Sequence, residues 1–336
     1  MEKIPLDVLH RRVVPSAETT DAGIVLDAAF GEDAAMTRIG NNILASHLEP
    51  IVGAIDNIGW LAMHAACNDV AARGIQPRWV VLLVLVPGVD DKGILVQILR
   101  DARHAAEKLG VSIIREHAGY SAGITEPLVD VIAMGNLDGK IPVEKGGAHM
   151  GDHVLITKGI ALEGTAILAH EFEDIVQGFN ITAKELHEAK GLMNEVNAIP
   201  EALILGEYGA STMHDVRRGG IVGTLVEIAH ASRLCIQIDA TLIPRRTVVD
   251  HFVETFKFDP LRMISSGALV ATIPSEKIND AKQKLTEKNI IFADIGRVID
   301  GKGVIVLSES KIEHCREIRS EDDEFARMWQ LYSRQN

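Results

Sequence analysis

Cysteine is scarce in this chain of 336 residues, and the three present, Cys67, Cys235 and Cys315, lie far apart with no metal-ligand spacing. That excludes a disulfide framework and a zinc knuckle. A basic excess is missing too. The formal net charge of −13 argues against a nucleic-acid-binding face, which needs clustered positive charge, but leaves room for a small anionic ligand held by local donors. The longest apolar run, "WVVLLVLVPG", has strand length and is too short to span a bilayer. The first residues, "MEKIPLDVLHRR", contain no apolar h-region, so no signal peptide is predicted and a reduced, cytoplasmic protein is expected. There is no P-loop, no Ser-His-Asp order, no paired zinc motif and no repeat of solenoid period.

What is present describes an ordinary globular chain, 47% hydrophobic and 24% charged. Its length suits two domains, at ~150 residues each. "GIVLDAAF", "NILASH", "RWVVLLVLVPG", "VSIIREHAGY" and "PLVDVIAMGNL" read as strands. "NIGWLAMHAACNDVAARG" and "DKGILVQILRDARHAAEKLG" read as helices closed by Gly74 and Gly110. The stretch "DGKIPVEKGGAHMGDH" is rich in glycine and charge without periodicity, and marks a junction between residues 1–145 and 146–336. Beyond it "VLITKG", "LCIQID", "GALVATIP", "IIFADIGRVI" and "GVIVLSES" are strands. "LEGTAILAHEF", the stretch from Thr182 to Tyr208, "RRTVVDHFVETF" and "SEKINDAKQKLTEKN" are helical. The predicted class is mixed α/β in two domains.

One segment poses a sharper question. In "STMHDVRRGGIVGTLVEIAHAS" the apolar residues Ile221, Leu225, Ile228 and Ala229 mark one face of a helix that is entered through Gly219 and Gly220. Paired glycines let a ligand approach the backbone at a helix start, where free N–H groups attract anions. They also make tight turns, with Asp215 as a local cap.

Five stretches in order, "GEDAAM", "CNDVAARGIQPRW", "GGAHMGDHVLITKGIALEGTAILA", "MHDVRRGGIVGTLVEIAHAS" and "DPLRMISSGALVATIP", resemble the aminoimidazole ribonucleotide synthetase (PurM)/HypE superfamily. The last two are most similar to its HypE-like branch. The resemblance runs from about Gly31 to Val306. It implies a PurM-like fold whose N-terminal domains pair into a shared β-barrel in a homodimer, with a C-terminal α/β sandwich outside. It also implies ATP and Mg²⁺ in a cleft between the domains, and activation of a small carbonyl or amide substrate by phosphoryl transfer. Two members are set apart: no cysteine follows Cys315 to serve as the terminal thiol on which HypE acts, and none precedes "GEDAAM" as in selenophosphate synthetase.

Carried onto this sequence, the resemblance gives Asp33, Asn68, Asp69, Lys158, Gly219 and Gly220 as nucleotide-binding residues and His214 and Asp215 as catalytic ones. Asp33, Glu49, Asp69 and His117 become the metal ligands. Two of these depart from the family. Glu49 is the nearest carboxylate in "ASHLEPIVGAID", where relatives carry aspartate. His117, in "REHAGYS", stands where relatives carry Gly-Asp-Thr, and imidazole suits zinc or later transition metals better than magnesium. Lys158 and Glu163 flank a strand-to-helix turn that suits an anion or hydroxylated substrate. Arg217 is placed either to clamp a phosphate or to make a surface salt bridge. The degenerate metal site favours an alternative, a non-catalytic ligand-binding or regulatory protein that has kept the fold.

Overall fold

The computed structural model describes residues 23–26, 34–53, 56–88, 92–317 and 319–332. The first half builds one sheet from β1 (Ile24–Leu26), β2 (Ala35–Ile39), β3 (Asn42–Val52), β4 (Pro77–Val86), β5 (Ser112–Tyr120) and β6 (Leu128–Asn136). Its strand order is β1-β2-β3-β6-β4-β5. Two helices, α1 (Ile58–Ala71) and α2 (Lys92–Leu109), lie on one face. The alternation along the strands sets this arrangement. Val80, Leu82, Val84, Val129, Val131 and Ala133 point into the helices and are fully buried. The opposite face carries Leu48, Val52, Val81, Leu83, Ile132 and Met134, which are exposed or half-buried. β3 tolerates Pro50 because β2 pairs with it only as far as Ser46, so the proline faces no ladder partner on that side among the described residues.

The second half runs β7 (His153–Thr157), α3 (Leu162–Glu171), α4 (Glu173–Gln177), α5 (Ala183–Gly191), α6 (Ile199–Glu207), β8 (Thr212–Asp215), α7 (Gly220–Ser232), β9 (Cys235–Asp239) and α8 (Thr247–Phe256). It continues through β10 (Leu269–Ile273), α9 (Ile278–Glu287), β11 (Phe292–Ile299), β12 (Gly303–Leu307), β13 (Ile312–Cys315) and α10 (Glu324–Tyr332). The sheet order is β13-β12-β9-β11-β7-β10-β8. Leu155, Leu269, Ala271 and Ile273 share one core with α1 and the first sheet, while Val154, Ile156 and Val270 face α7. The protein is thus a mixed α/β molecule with two sheets.

α1 is the shared wall between the halves. Apart from half-buried Trp60 it is buried along its whole length, and it packs on β3 and β6 on one side and on α6 and β8 on the other. A helix buried all round must be apolar or small on every face. "IGWLAMHAACNDVA" meets that need, and its polar residues Asn68 and Asp69 are buried with partners. Gly59 lets α2 cross close by, since a β-carbon there would collide with the Ile98 carbonyl.

Five elements were not visible in the sequence: β2, α4, β8, β13 and α10. β8 is the informative one. "TMHD" has no apolar alternation, yet all four residues are buried, and the strand is held by its pairing to β10, Asp215 opposite Leu269. Tertiary burial overrides a polar pattern here.

The Gly-Gly entry to α7 also has a structural reason. Gly219 and Gly220 adopt φ of 83° and 63°, and a β-carbon on Gly220 would come within 2.5 Å of the Leu261 carbonyl oxygen and 2.7 Å of the Arg262 carbonyl carbon. The backbone that approaches closely is the chain's own. The first-turn amides are taken as well: Gly220 N donates to the Arg217 carbonyl (2.9 Å) and Val222 N to the Leu261 carbonyl (3.2 Å). Replacing Gly220→Ala combines left-handed strain with a backbone clash, so a loss of roughly 2 kcal/mol or more is expected in urea unfolding. A change below half of that would show that the Leu261–Arg262 turn yields easily.

Candidate functional site

The polar residues gather where α1 meets the β8–α7 loop. Period-2 alternation on β3 puts His47 and Glu49 on the face that looks toward α1, where Asp69 comes up from the helix. His47 Nε2 lies 3.0 Å from Asp69 Oδ2 and 3.3 Å from Glu49 Oε2. Both neighbours are carboxylate oxygens, so this nitrogen carries the proton and donates. From the second half Arg217 reaches across: NH1 donates to Asp69 Oδ2 at 2.7 Å and NH2 to Glu49 Oε1. One guanidinium therefore spans two carboxylates.

Beside it a neutral connection crosses the same gap. Asn68 Nδ2 donates to the Val196 carbonyl (2.8 Å) and to Asp215 Oδ2 (3.1 Å), and its Oδ1 accepts from Ala198 N (2.9 Å). Asp215 Oδ1 accepts from Gly267 N at 2.8 Å.

The two aspartates are driven in opposite directions. Burial works to raise Asp69, but His47 and Arg217 outweigh it and hold the carboxyl well below the usual range. Burial, reinforced by the charge of Asp69, pushes Asp215 up to about 7 against the opposing pull of Arg217, Asn68 and Gly267. Burial also raises Glu163, in the first turn of α3, although it accepts from Ser266 N at 3.0 Å. Burial disfavours the charge on Arg217, yet Glu49 and Asp69 keep it firmly protonated. A permanently charged cation thus sits among one fixed carboxylate and a second carboxyl that changes charge near neutrality, an arrangement suited to moving a proton beside a bound anion.

The site residues expected from the sequence fare differently. Glu49, Asp69, Asn68 and Asp215 come together, and Asp33 lies outside the described residues. His117 does not join them within one chain. It is exposed on β5 in the row Pro50–Asp130–Leu83–His117, three strands from β3, or about 14 Å at ~4.8 Å per strand. Adjacent strand residues point to opposite faces, so His214 turns away from Asp215: its Nε2 meets Glu227 Oε2 on α7 at 2.8 Å and its Nδ1 the Asp215 carbonyl at 2.7 Å. Lys158 is committed internally, pairing with Glu201 at 3.0 Å and donating to the carbonyls of Glu195, Asn197 and Gly267. The start of α3 is no open anion cradle either, because Leu162 N donates to Ser265 Oγ and Gly164 N to the Ile264 carbonyl. Gly219 and Gly220 shape the turn that delivers Arg217.

His47 was missed by sequence reasoning that sought only carboxylates in "ASHLEPIVGAID". The i, i+2 spacing to Glu49 was the available signal. The same geometry tests the Mg²⁺ that the resemblance implies. Magnesium demands near-octahedral oxygen ligation, whereas at this cluster Asp69 Oδ2 and both Glu49 oxygens already accept from Arg217 or His47. The residues present do not fit Mg²⁺ there.

Comparison with known proteins agrees with this architecture. Residues 31–137 match the N-terminal domain of AIR synthase related protein, and residues 150–308 match its C-terminal domain. The chain belongs to the AIR synthase-related family. It is 30% identical over 234 residues to carbamoyl dehydratase HypE of Rhizobium leguminosarum bv. viciae, spanning 66% of this chain and 61% of that one. It is 23% identical over 320 residues to selenide, water dikinase of Carboxydothermus hydrogenoformans, spanning 86% and 90%. The solved structure of hydrogenase maturation protein HypE in complex with ATP shares the fold, with a TM-score of 0.69 at 21% identity over 93% of this chain and 94% of that one. Among the described residues, no helix is long and apolar enough to cross a membrane.

The shift of Asp215 has a consequence for stability. From about pH 4 to about pH 7 the folded chain holds a proton that the unfolded chain has released, so this group lowers stability as pH rises through that window and adds no further change above it. Asp215→Asn removes the effect. The stability of the variant relative to the parent in urea should therefore grow from pH 5 to pH 8; a pH-independent difference would mean that Asp215 titrates in its ordinary range.

Proposed function

We propose that the chain binds ATP in the cleft between its halves and uses it to activate a small carbonyl or amide substrate by phosphoryl transfer. The observation that carries this reading is the juxtaposition of Arg217 with Asp215. A guanidinium suits the charge of a phosphoryl oxygen, and a buried carboxyl near neutrality suits proton transfer to or from the substrate. Family membership supports it, and the solved HypE neighbour is a complex with ATP. Asp215 is the proposed acid–base residue. Arg217 meets the nucleotide phosphates by exchanging part of its contact with Glu49 and Asp69 for them.

The same reading makes the working unit a homodimer in the cytoplasm. The outer face of the first sheet exposes Leu48 (54%) and Val52 (37%) beside half-buried Val81, Leu83, Ile132 and Met134, and a second copy pairing face to face would cover them as a shared barrel. The three cysteines are free and buried, which suits a reducing compartment. A second reading, a non-catalytic ligand-binding or regulatory protein, is favoured by one observation: Glu49 and Asp69 are already paired from within, to Arg217.

Two measurements test these statements. Light scattering after size exclusion should give twice the 36.5 kDa chain mass; a monomer at micromolar concentration removes the shared barrel. Calorimetric titration with a non-hydrolysable ATP analogue should show micromolar binding in the parent and in Asp215→Asn alike, since Asp215 acts on the substrate. If neither binds the analogue, the nucleotide reading fails and the regulatory one stands.

A further inference from the structure

We propose that Arg217 is a resident cation, holding the place between Glu49 and Asp69 that a divalent ion would otherwise take, so that the cluster does not bind Mg²⁺ in the intact protein. Glu49 and Asp69 meet where the halves join, with only 18% and 3% of their side chains exposed, and ionised groups so placed need a compensating cation. Arg217 supplies it with one nitrogen on each carboxylate, the two-pronged contact that a planar guanidinium makes and an ammonium does not.

The cation is also built in rather than recruited. Its loop is pinned on both sides by backbone hydrogen bonds, Val216 N to the Ala268 carbonyl (2.9 Å), Ser265 N to the Val216 carbonyl (3.0 Å) and Gly220 N to the Arg217 carbonyl (2.9 Å). Its charge therefore arrives without the cost of capturing a free ion, and an incoming Mg²⁺ has to displace a tethered competitor. His47 adds a second obstacle. Its Nε2–H donates to the oxygens an ion would need, and as a ligand an imidazole nitrogen is a poor partner for Mg²⁺.

Beneath the guanidinium, however, lies a usable donor set. One ligand atom each from His47, Glu49 and Asp69 fall within 4.8 Å of one another, close enough to share one ion. One nitrogen and two carboxylate oxygens match Mn²⁺ or Zn²⁺ better than Mg²⁺. Taking away the guanidinium should therefore turn an ion-pair network into a metal site of that preference.

The test uses the full chain and metal alone, so it stands apart from whether the cleft takes a nucleotide. Mn²⁺ binding followed by electron paramagnetic resonance, with Mg²⁺ and Zn²⁺ followed by calorimetry, is compared in the parent, Arg217→Met, Arg217→Lys and the double variant Arg217→Met/His47→Ala. The parent should bind no Mg²⁺ below millimolar concentration. Arg217→Met should bind one Mn²⁺ per chain at least tenfold more tightly than the parent, and the double variant should lose most of that gain. Should Arg217→Met not fold by circular dichroism and size exclusion, Arg217→Lys decides. It keeps a positive charge, but one ammonium does not span both carboxylates, so a severalfold gain in Mn²⁺ affinity is expected. Micromolar Mg²⁺ binding by the parent, or no gain in Mn²⁺ affinity in the folded variants, would overturn the proposal.

Discussion

Two carboxylates that cannot both stay ionised without a cation where water is largely excluded set the terms for the rest of this molecule. Glu49 sits on a strand of the first sheet, Asp69 on the helix packed against it, and the charge that reconciles them comes from the second half. Removing one partner of a buried pair costs about 3–5 kcal/mol because the other is left uncompensated. The two halves are therefore coupled through electrostatics as well as through the apolar core that α1 shares with both sheets. The pull of the same guanidinium opposes the rise of Asp215, but burial and the negative charge of Asp69 prevail. One interaction thus fixes the neighbouring carboxylates in different states.

The neutral contacts complement the ionic ones. Asn68 satisfies three of its hydrogen-bonding positions across the gap, to Val196, Ala198 and Asp215, and Lys158 ties the carbonyls of Glu195, Asn197 and Gly267 together over Glu201. Buried polar groups are costly unless they find partners, and of these side chains only Glu201 has an oxygen, Oε2, without one. Here they tie chain segments together beside the charged cluster. The resemblance assigns Asn68 and Lys158 to the nucleotide; in the fold both are committed to contacts within the chain.

The sequence announces those parts of the fold that depend on local pattern. α1, α2 and the long strands β4 and β6 follow from periodicity, and the family resemblance follows from five short stretches in order. What stayed hidden depends on partners distant along the chain. β8 is polar in pattern and is a strand only because β10 and the surrounding core bury it. His47 gains its significance from Asp69, and Arg217 from a residue 148 positions earlier. Asn68 and Asp69 were recognised as site residues although mid-helix polar residues ordinarily face solvent, whereas His117 was not brought to them, because a one-strand view of "REHAGYS" carries no information about how far β5 lies from β3.

Because Arg217 is paired with both Glu49 and Asp69 where the halves meet, their identities are not independent in evolution. A single substitution at any of the three leaves the others mismatched in charge at a place where mismatch is costly, unless a bound cation takes over the role of the lost guanidinium. The prediction for a family alignment is linked substitution: an arginine at the position of Arg217 should travel with carboxylates at the positions of Glu49 and Asp69.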